Sequence, residues 1–423
     1  MATDVDVQYF SHLNGLTLGN NWGDLIRLLD TCLVNGLPLT SITAASIDAQ
    51  GDIHLTTYAD HKCMLFQIVE LTGFAPVELN GKYRIKGVPS TTELILKAEH
   101  AGKSIATSGE AKLAPLGYEI IFRDTNDVKR VYRAKDPSTQ HPFIRVDESL
   151  TSPDGTTGVY TSTYAKYAMV GLLEHMEHID DYENPDVQQL PFDPADPAKN
   201  WKITGTGASV VRGWSRWYWA TVSQVIEPQM DSATLYAFNR QFTLCGDKNS
   251  FYFLKNNYHY PGYPSNRKSL CGCGLFNQST SSDNQWFLMT FLTTKAANQA
   301  VYQYQVVGGT PLVVDREASK FFSTKDTYDA AGHVESSPIL PDFFSGSSGI
   351  YNGNEVGLLE IPFFDTDKKL RGTLQHIAYS GKNHSVTDTT PLVSDNSMYV
   401  TDSLLANSSG VIGSIFFYLG ELE

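Results

Sequence analysis

The run Glu174-His175-Met176-Glu177-His178 holds the densest set of groups able to ligate a metal or move a proton. On a helix, residues three apart share a face, so His175 and His178 could meet one cation. On a strand they point to opposite faces and cannot. The spacing also misses HExxH, in which the histidines stand four apart and the glutamate follows the first. A structural or solvated role fits this run better than a metal site.

Cys271-Gly272-Cys273, with Cys245 and His259, is a second constellation. Zinc sites are built from paired Cys or Cys/His knuckles. A lone CxC in a Gly-rich stretch reads as small buried residues, with a cluster assembled in space as the alternative. Asp180-Asp181 and Asp365/Asp367 could supply paired carboxylates for glycoside hydrolysis. Such pairs on loops are mostly turn formers, and Asp365-Thr366-Asp367 lacks the EF-hand spacing for calcium. The chain has no GxSxG elbow, no Walker A loop and no GxGxxG run at a strand–helix junction. Gly205-Thr206-Gly207 is too short to cradle a phosphate. The expectation is a non-enzyme with no catalytic, metal-ligating or cofactor-binding residue and no cofactor.

The aromatic group Trp214, Trp217, Tyr218 and Trp219 has three readings: core, subunit interface or ligand platform. In a strand Trp217 and Trp219 share one face and Tyr218 takes the other, so at least one face belongs in a core. Full burial of Trp217 and Trp219 would remove a sugar-stacking platform there.

The elements that must carry these groups read mostly as strands. Aromatics make up 12% of the chain, with 22 Tyr and 21 Phe, and Gly, Ser, Thr, Asn and Asp fill the breaks. One helix is expected over Asp24 to Val34, where Leu25, Leu28, Leu29, Cys32 and Leu33 fall on one face. Gly23 precedes it, and Asn35-Gly36 tolerates the positive φ of a helix end. Strands are expected over Ser41 to Ile47, Ile53 to Tyr58, Met64 to Leu71, Lys82 to Val88 and Glu93 to Leu96. Asn80-Gly81 suits a two-residue hairpin. Leu116 to Arg123, Lys129 to Ala134 and Pro142 to Val146 follow. Residues 159–183 carry both helix formers and alternation by twos. Residues 184–200 hold four prolines and read as an ordered loop. Further strands are expected over Leu235 to Cys245, Ser250 to Leu254, Trp286 to Thr293, Val301 to Val307, Pro311 to Val314, Val356 to Ile361, Leu370 to Tyr379 and Val411 to Leu419. Residues 256–284 read as loop.

With 423 residues, two or three domains are expected. The divisions fall at 1–40, a segment with one short helix; 41–148, a small β-sandwich or barrel; and 149–423, a larger antiparallel β-rich domain. The fold class is mainly β. A formal net charge of −14 disfavours nucleic acid as partner and suits a subunit kept soluble at high copy number. Five Cys, an odd number at low density, imply no disulfide framework. The first residues lack a signal peptide's basic and apolar regions, and no apolar run approaches the ~20 residues of a membrane span.

The stretch from Tyr9 to Gly36 resembles virion structural proteins of tailed bacteriophages. Their usual form is an aromatic YF-S-x-M-x-G run followed by a Gly-bounded LLDACLVNG-like helix. The matching residues are Tyr9-Phe10-Ser11, Gly15, Gly23 and Leu28-Leu29-Asp30-Thr31-Cys32-Leu33-Val34-Asn35-Gly36. Leu13 stands where that family has Met. A second landmark, YRS-DP followed by RVDD, is matched by Tyr132, Arg133, Asp136, Pro137, Arg145, Val146 and Asp147, with Glu148 in place of the last Asp. A third, looser one joins Arg216-Trp217 to Gly246-Asp247 and Phe251-Tyr252-Phe253-Leu254. The resemblance favours a strand within 159–183, ending at the Asp180-Asp181 turn.

What the resemblance implies is a structural component of the phage particle without enzymatic activity, placed in the tail, baseplate or neck. Its location is then the virion, after synthesis in the host cytoplasm, and its partners are other virion proteins and copies of itself. The candidate interface residues are Tyr9, Phe10, Trp22, Trp214, Trp217 and Trp219, with residues 9–36 docking the chain. The alternatives are capsid decoration and a receptor-recognition module that binds a host-surface glycan through exposed Trp or Tyr of the C-terminal β region.

Overall fold

The computed structural model describes residues 4–153, 158–222, 235, 237–256, 266–277, 285–292, 319–339, 358–380, 388–407 and 410–422. The chain is mainly β, with one α-helix among the described residues. That helix, Asp24–Leu29, continues as a π-helical turn, Asp30–Asn35. Its apolar stripe is buried as the spacing requires. Gly36 ends it at φ +75°, where a Cβ would meet the Leu113 carbonyl oxygen at 2.4 Å.

A seven-stranded antiparallel sheet follows. Its order is Leu37–Pro38, Glu110–Leu113, Ile68–Thr72, Gly81–Ser90, Glu93–Leu96, Ile53–Thr57 and Ile42–Ile47. The expected hairpin at Asn80-Gly81 is not a two-residue turn. Leu71 faces Gly81 across a nine-residue excursion that includes a 3-10 turn, Val77–Leu79. Asn80 keeps a negative φ and instead ties that loop with its side chain, bonding Phe74 N–H and the Phe74 and Val77 carbonyls.

The second sheet has six strands. Gln189–Leu190, Lys166–Leu173, Phe143–Asp147, Lys129–Ala134 and Tyr118–Arg123 lie in that order, and Arg216–Ala220 also pairs with Lys166–Leu173. The expected division after 148 therefore cuts through a sheet, since strands on its two sides pair, Val146 with Val170. The ambiguous 159–183 stretch resolves as the strand Lys166–Leu173, buried on both faces.

The third sheet has thirteen strands. The N-terminal strand Gln8–Ser11 lies on its edge against Phe242–Gly246, followed by Ser250–Asn256 and Asn266–Asn277. From there Trp286–Leu292, Phe321–Ser323, Val334–Pro338, Pro362–Asp365 and Leu370–Leu374 follow, and the last returns to pair with Asn266–Asn277. This closes a six-stranded barrel. Phe276, Phe287, Phe321 and Phe363 fill it, with the Phe321 and Phe363 rings stacked 4.3 Å apart. A ribbon of Ile377–Ser380, Thr390–Ser394, Ser397–Asn407 and Gly410–Glu421 branches from it through Asn266–Asn277.

Several expected elements differ. Asn266–Asn277 is a strand within the stretch read as loop. The expected single strand from Leu370 to Tyr379 is broken at His376, which turns at φ +59°. Val301 to Val307 and Pro311 to Val314 lie outside the described residues.

Candidate functional site

The metal and carboxylate candidates do not come together. Strand Lys166–Leu173 stops before His175 and His178, which lie exposed in the following bend. Cys245 faces one core, whereas Cys271 and Cys273 face the other, because their strands present alternate residues to opposite sides. Burial pushes the thiols of Cys245, Cys271 and Cys273 up, so they are neutral at physiological pH. Lys255 Nζ donates to Cys271 Sγ at 3.0 Å. His259 lies outside the described residues. Asp180 accepts from Lys129 and Arg145. Asp365 accepts the Lys369 N–H at 2.9 Å and forms a turn. Among the described residues, no group of three or more His, Cys, Asp or Glu is placed to hold a metal. No helix among them is long and apolar enough to cross a membrane.

Four of the six expected interface aromatics are core instead. Tyr9, Phe10, Trp217 and Trp219 are each 0% exposed. Strand Arg216–Ala220 is covered on both faces, and Trp217 Nε1 donates to the Met289 carbonyl at 2.8 Å. That burial removes a sugar platform built on Trp217 and Trp219. Trp22 and Trp214 are half-buried. Trp22 donates to the Ser162 carbonyl at 3.0 Å and meets Trp219 edge-on. Trp214 packs edge-on against Phe322 and lies under Lys199 Nζ.

The sequence landmarks do converge. Tyr132 donates to Asp30 Oδ1 at 2.7 Å, and Arg130 Nε reaches Asp30 Oδ2 at 3.2 Å. Glu148 accepts from the main-chain N–H groups of Gly23 and Ile26, at the start of the helix. The 9–36 stretch is thus bolted to the 132–148 stretch, so it serves as an internal joint rather than a free docking arm.

One cleft, of about 630 Å³, lies where the barrel meets the C-terminal ribbon. The barrel side contributes Asn277, Glu360 and Gln375; the ribbon side contributes Ser397, Tyr399, Tyr418 and Glu421. Each comes from a strand end or the segment beside it, because a closed barrel and a ribbon diverging from one shared strand leave a wedge between them. The Tyr399 and Tyr418 rings meet edge-on at 5.6 Å and are half-buried. Glu421 Oε1 accepts from Tyr418 Oη at 2.6 Å and Ser397 Oγ at 2.9 Å. Those two hydrogen bonds hold the Glu421 carboxyl below its usual range. Burial, then the neighbouring Glu421 carboxylate, pushes the Tyr418 phenol up. Glu360 Oε2 accepts from Thr373 Oγ1 at 3.1 Å. His376, also lining the cleft, is fixed by Asp247 Oδ2 at 3.1 Å from Nε2.

Sequence reasoning missed this cleft. Its residues come from separated segments between 277 and 421 with no shared spacing. The only local signal is Tyr418 three residues before Glu421 on the last strand. No family model matches the chain, and neither a curated protein nor a solved structure matches it.

Proposed function

We propose that this chain is a structural component of a tailed-phage virion, in the tail, baseplate or neck, working by subunit–subunit assembly. The observation that carries this reading is the convergence of Gly23, Ile26, Asp30, Tyr132 and Glu148 on one joint. Residues that resemble virion proteins in two distant stretches of sequence belong to a single structural unit.

A route for copies to meet is the outer strand of the seven-stranded sheet. Ile42–Ile47 reads ITAASI, carries no charge and pairs on one side only, with Ile53–Thr57. Among the described residues no strand covers its other side. An uncharged six-residue edge invites strand addition from a neighbouring copy. Mass spectrometry of purified particles of the encoding phage should find the chain at a fixed ratio to other virion proteins. Its consistent loss during particle purification would overturn the proposal.

A further inference from the structure

We infer that the cleft between the barrel and the C-terminal ribbon binds an uncharged saccharide. Glu360 and Glu421 are acceptor-only when ionised, whereas Asn277 and Gln375 both donate and accept. Vicinal sugar hydroxyls need this mixture, and hydrogen bonds to a carboxylate are the stronger ones. Glu360 uses Oε2 on Thr373, and Glu421 uses Oε1 on Tyr418 and Ser397. The second oxygen of each carboxylate remains for a ligand. Because Tyr418 donates its own proton to Glu421, its phenolic oxygen can accept one from a sugar hydroxyl.

The walls fit the same chemistry. Tyr399 and Tyr418 offer amphipathic rings, and Leu358, Ile377 and Ala378 supply apolar surface for the C–H faces of a sugar ring. Among the described residues no Lys or Arg lines the cleft, while two glutamates do. Phosphate, sulfate and carboxylate ligands would bring like charge against Glu360 and Glu421, which excludes nucleotides and acidic sugars. The volume lies inside the range of small-ligand clefts, about 300–1,000 Å³. The glutamates are held before any ligand arrives, so little ordering opposes binding.

The site shares no residue with Trp217 and Trp219, for which the sequence allows a ligand platform as one of three readings. It also does not depend on the assembly reading, since all of its named lining residues belong to one subunit. The test immobilises neutral hexose and N-acetylhexosamine oligosaccharides beside sialylated and sulfated ones, and applies the purified full chain. Retention on neutral probes is expected, with none on the anionic set. Glu360→Gln with Glu421→Gln should weaken retention by about tenfold or more, and Tyr399→Ala should do the same. Circular dichroism and thermal melting identify variants that remain folded. Silence on all neutral probes, preference for anionic probes, or undiminished binding by the folded double-glutamine variant would each overturn the inference.

Discussion

The carboxylate of Glu148 is shut inside the protein beside two main-chain N–H groups at the helix start. Burial pushes it up to about 7, against the lowering effect of those hydrogen bonds and of Arg212 and Arg27. Between its ordinary 4.5 and that value, the folded state keeps a proton the unfolded chain has released. Stability from this group therefore falls as pH rises through that window and levels off above it, by on the order of 3 kcal/mol. Asp180, Asp247 and Asp388 act in the opposite sense. Burial raises each, but hydrogen bonds and charge from Lys129 and Arg145, from His376, and from His12 and Lys268 leave them below the usual range. Their contribution is present above the ordinary carboxylate range and is lost as pH falls through the lowered values. Denaturant melts across pH should thus rise out of acid, peak near pH 5 and decline toward 7. Glu148→Gln should flatten the decline and leave the acid limb intact; a decline that persists in the variant contradicts the assignment. Lys268 and Asp402 make a second residue-scale case. Both side chains are 0% exposed, and they meet at 2.5 Å. Asp402→Asn removes the nearer carboxylate from a buried ammonium and should cost about 3–5 kcal/mol by chemical denaturation.

At the scale of elements, turn residues between apolar runs marked most strands of the first two sheets, and alternation by twos shows in Ile53–Thr57 and Glu93–Leu96, where burial alternates residue by residue. The Asn266–Asn277 strand carried no such signal. Its sequence, NRKSLCGCGLFN, puts Gly272 and Gly274 where the neighbouring backbone comes closest. A Cβ on Gly272 would lie 2.4 Å from the Phe251 carbonyl oxygen. The glycines that disguise the strand as a loop are what let it pack there. Gly272→Ala should cost about 1–3 kcal/mol through overpacking, whereas the exposed Gly102, with nothing near its Cβ position, is spared that clash. A Gly272→Ala melt equal to the parent would sink the close-packing account. Short strands such as Phe321–Ser323 were illegible because three residues cannot show a period. The cleft was illegible for a related reason: barrel closure, a tertiary event, brings its two walls together. Arg216–Ala220 is a strand buried on both faces, which decides in favour of core among the three readings of Trp217, Tyr218 and Trp219.

At the scale of the molecule, the N-terminal segment joins sheets that sequence order keeps apart. Gln8 Nε2 donates to the Ile68 and Ala114 carbonyls, while its own strand runs along Phe242–Gly246. Arg84 completes the joint from the seven-stranded sheet. Its guanidinium is buried and donates to the carbonyls of Asp4, Val7, Phe66 and Leu419, so one side chain holds the N-terminus, the first sheet and the last strand. Guanidinium is suited to this because its donors are fixed in a planar fork and its charge is weakly hydrated. Arg84→Met keeps much of the apolar stem but leaves four carbonyls without their donor. The expected cost is about 3–5 kcal/mol. It should also change the form of unfolding, because the seven-stranded sheet loses a principal tie to the barrel half. The parent is expected to melt in one transition, and Arg84→Met in two, with probes in the seven-stranded sheet moving first. Arg84→Lys restores the charge with fewer donors in a less fixed arrangement, so it should fall between them. Hydrogen exchange read sheet by sheet distinguishes this from uniform weakening. Equal loss of protection in the seven-, six- and thirteen-stranded sheets of Arg84→Met, within a single transition, would show that the joint does not depend on Arg84.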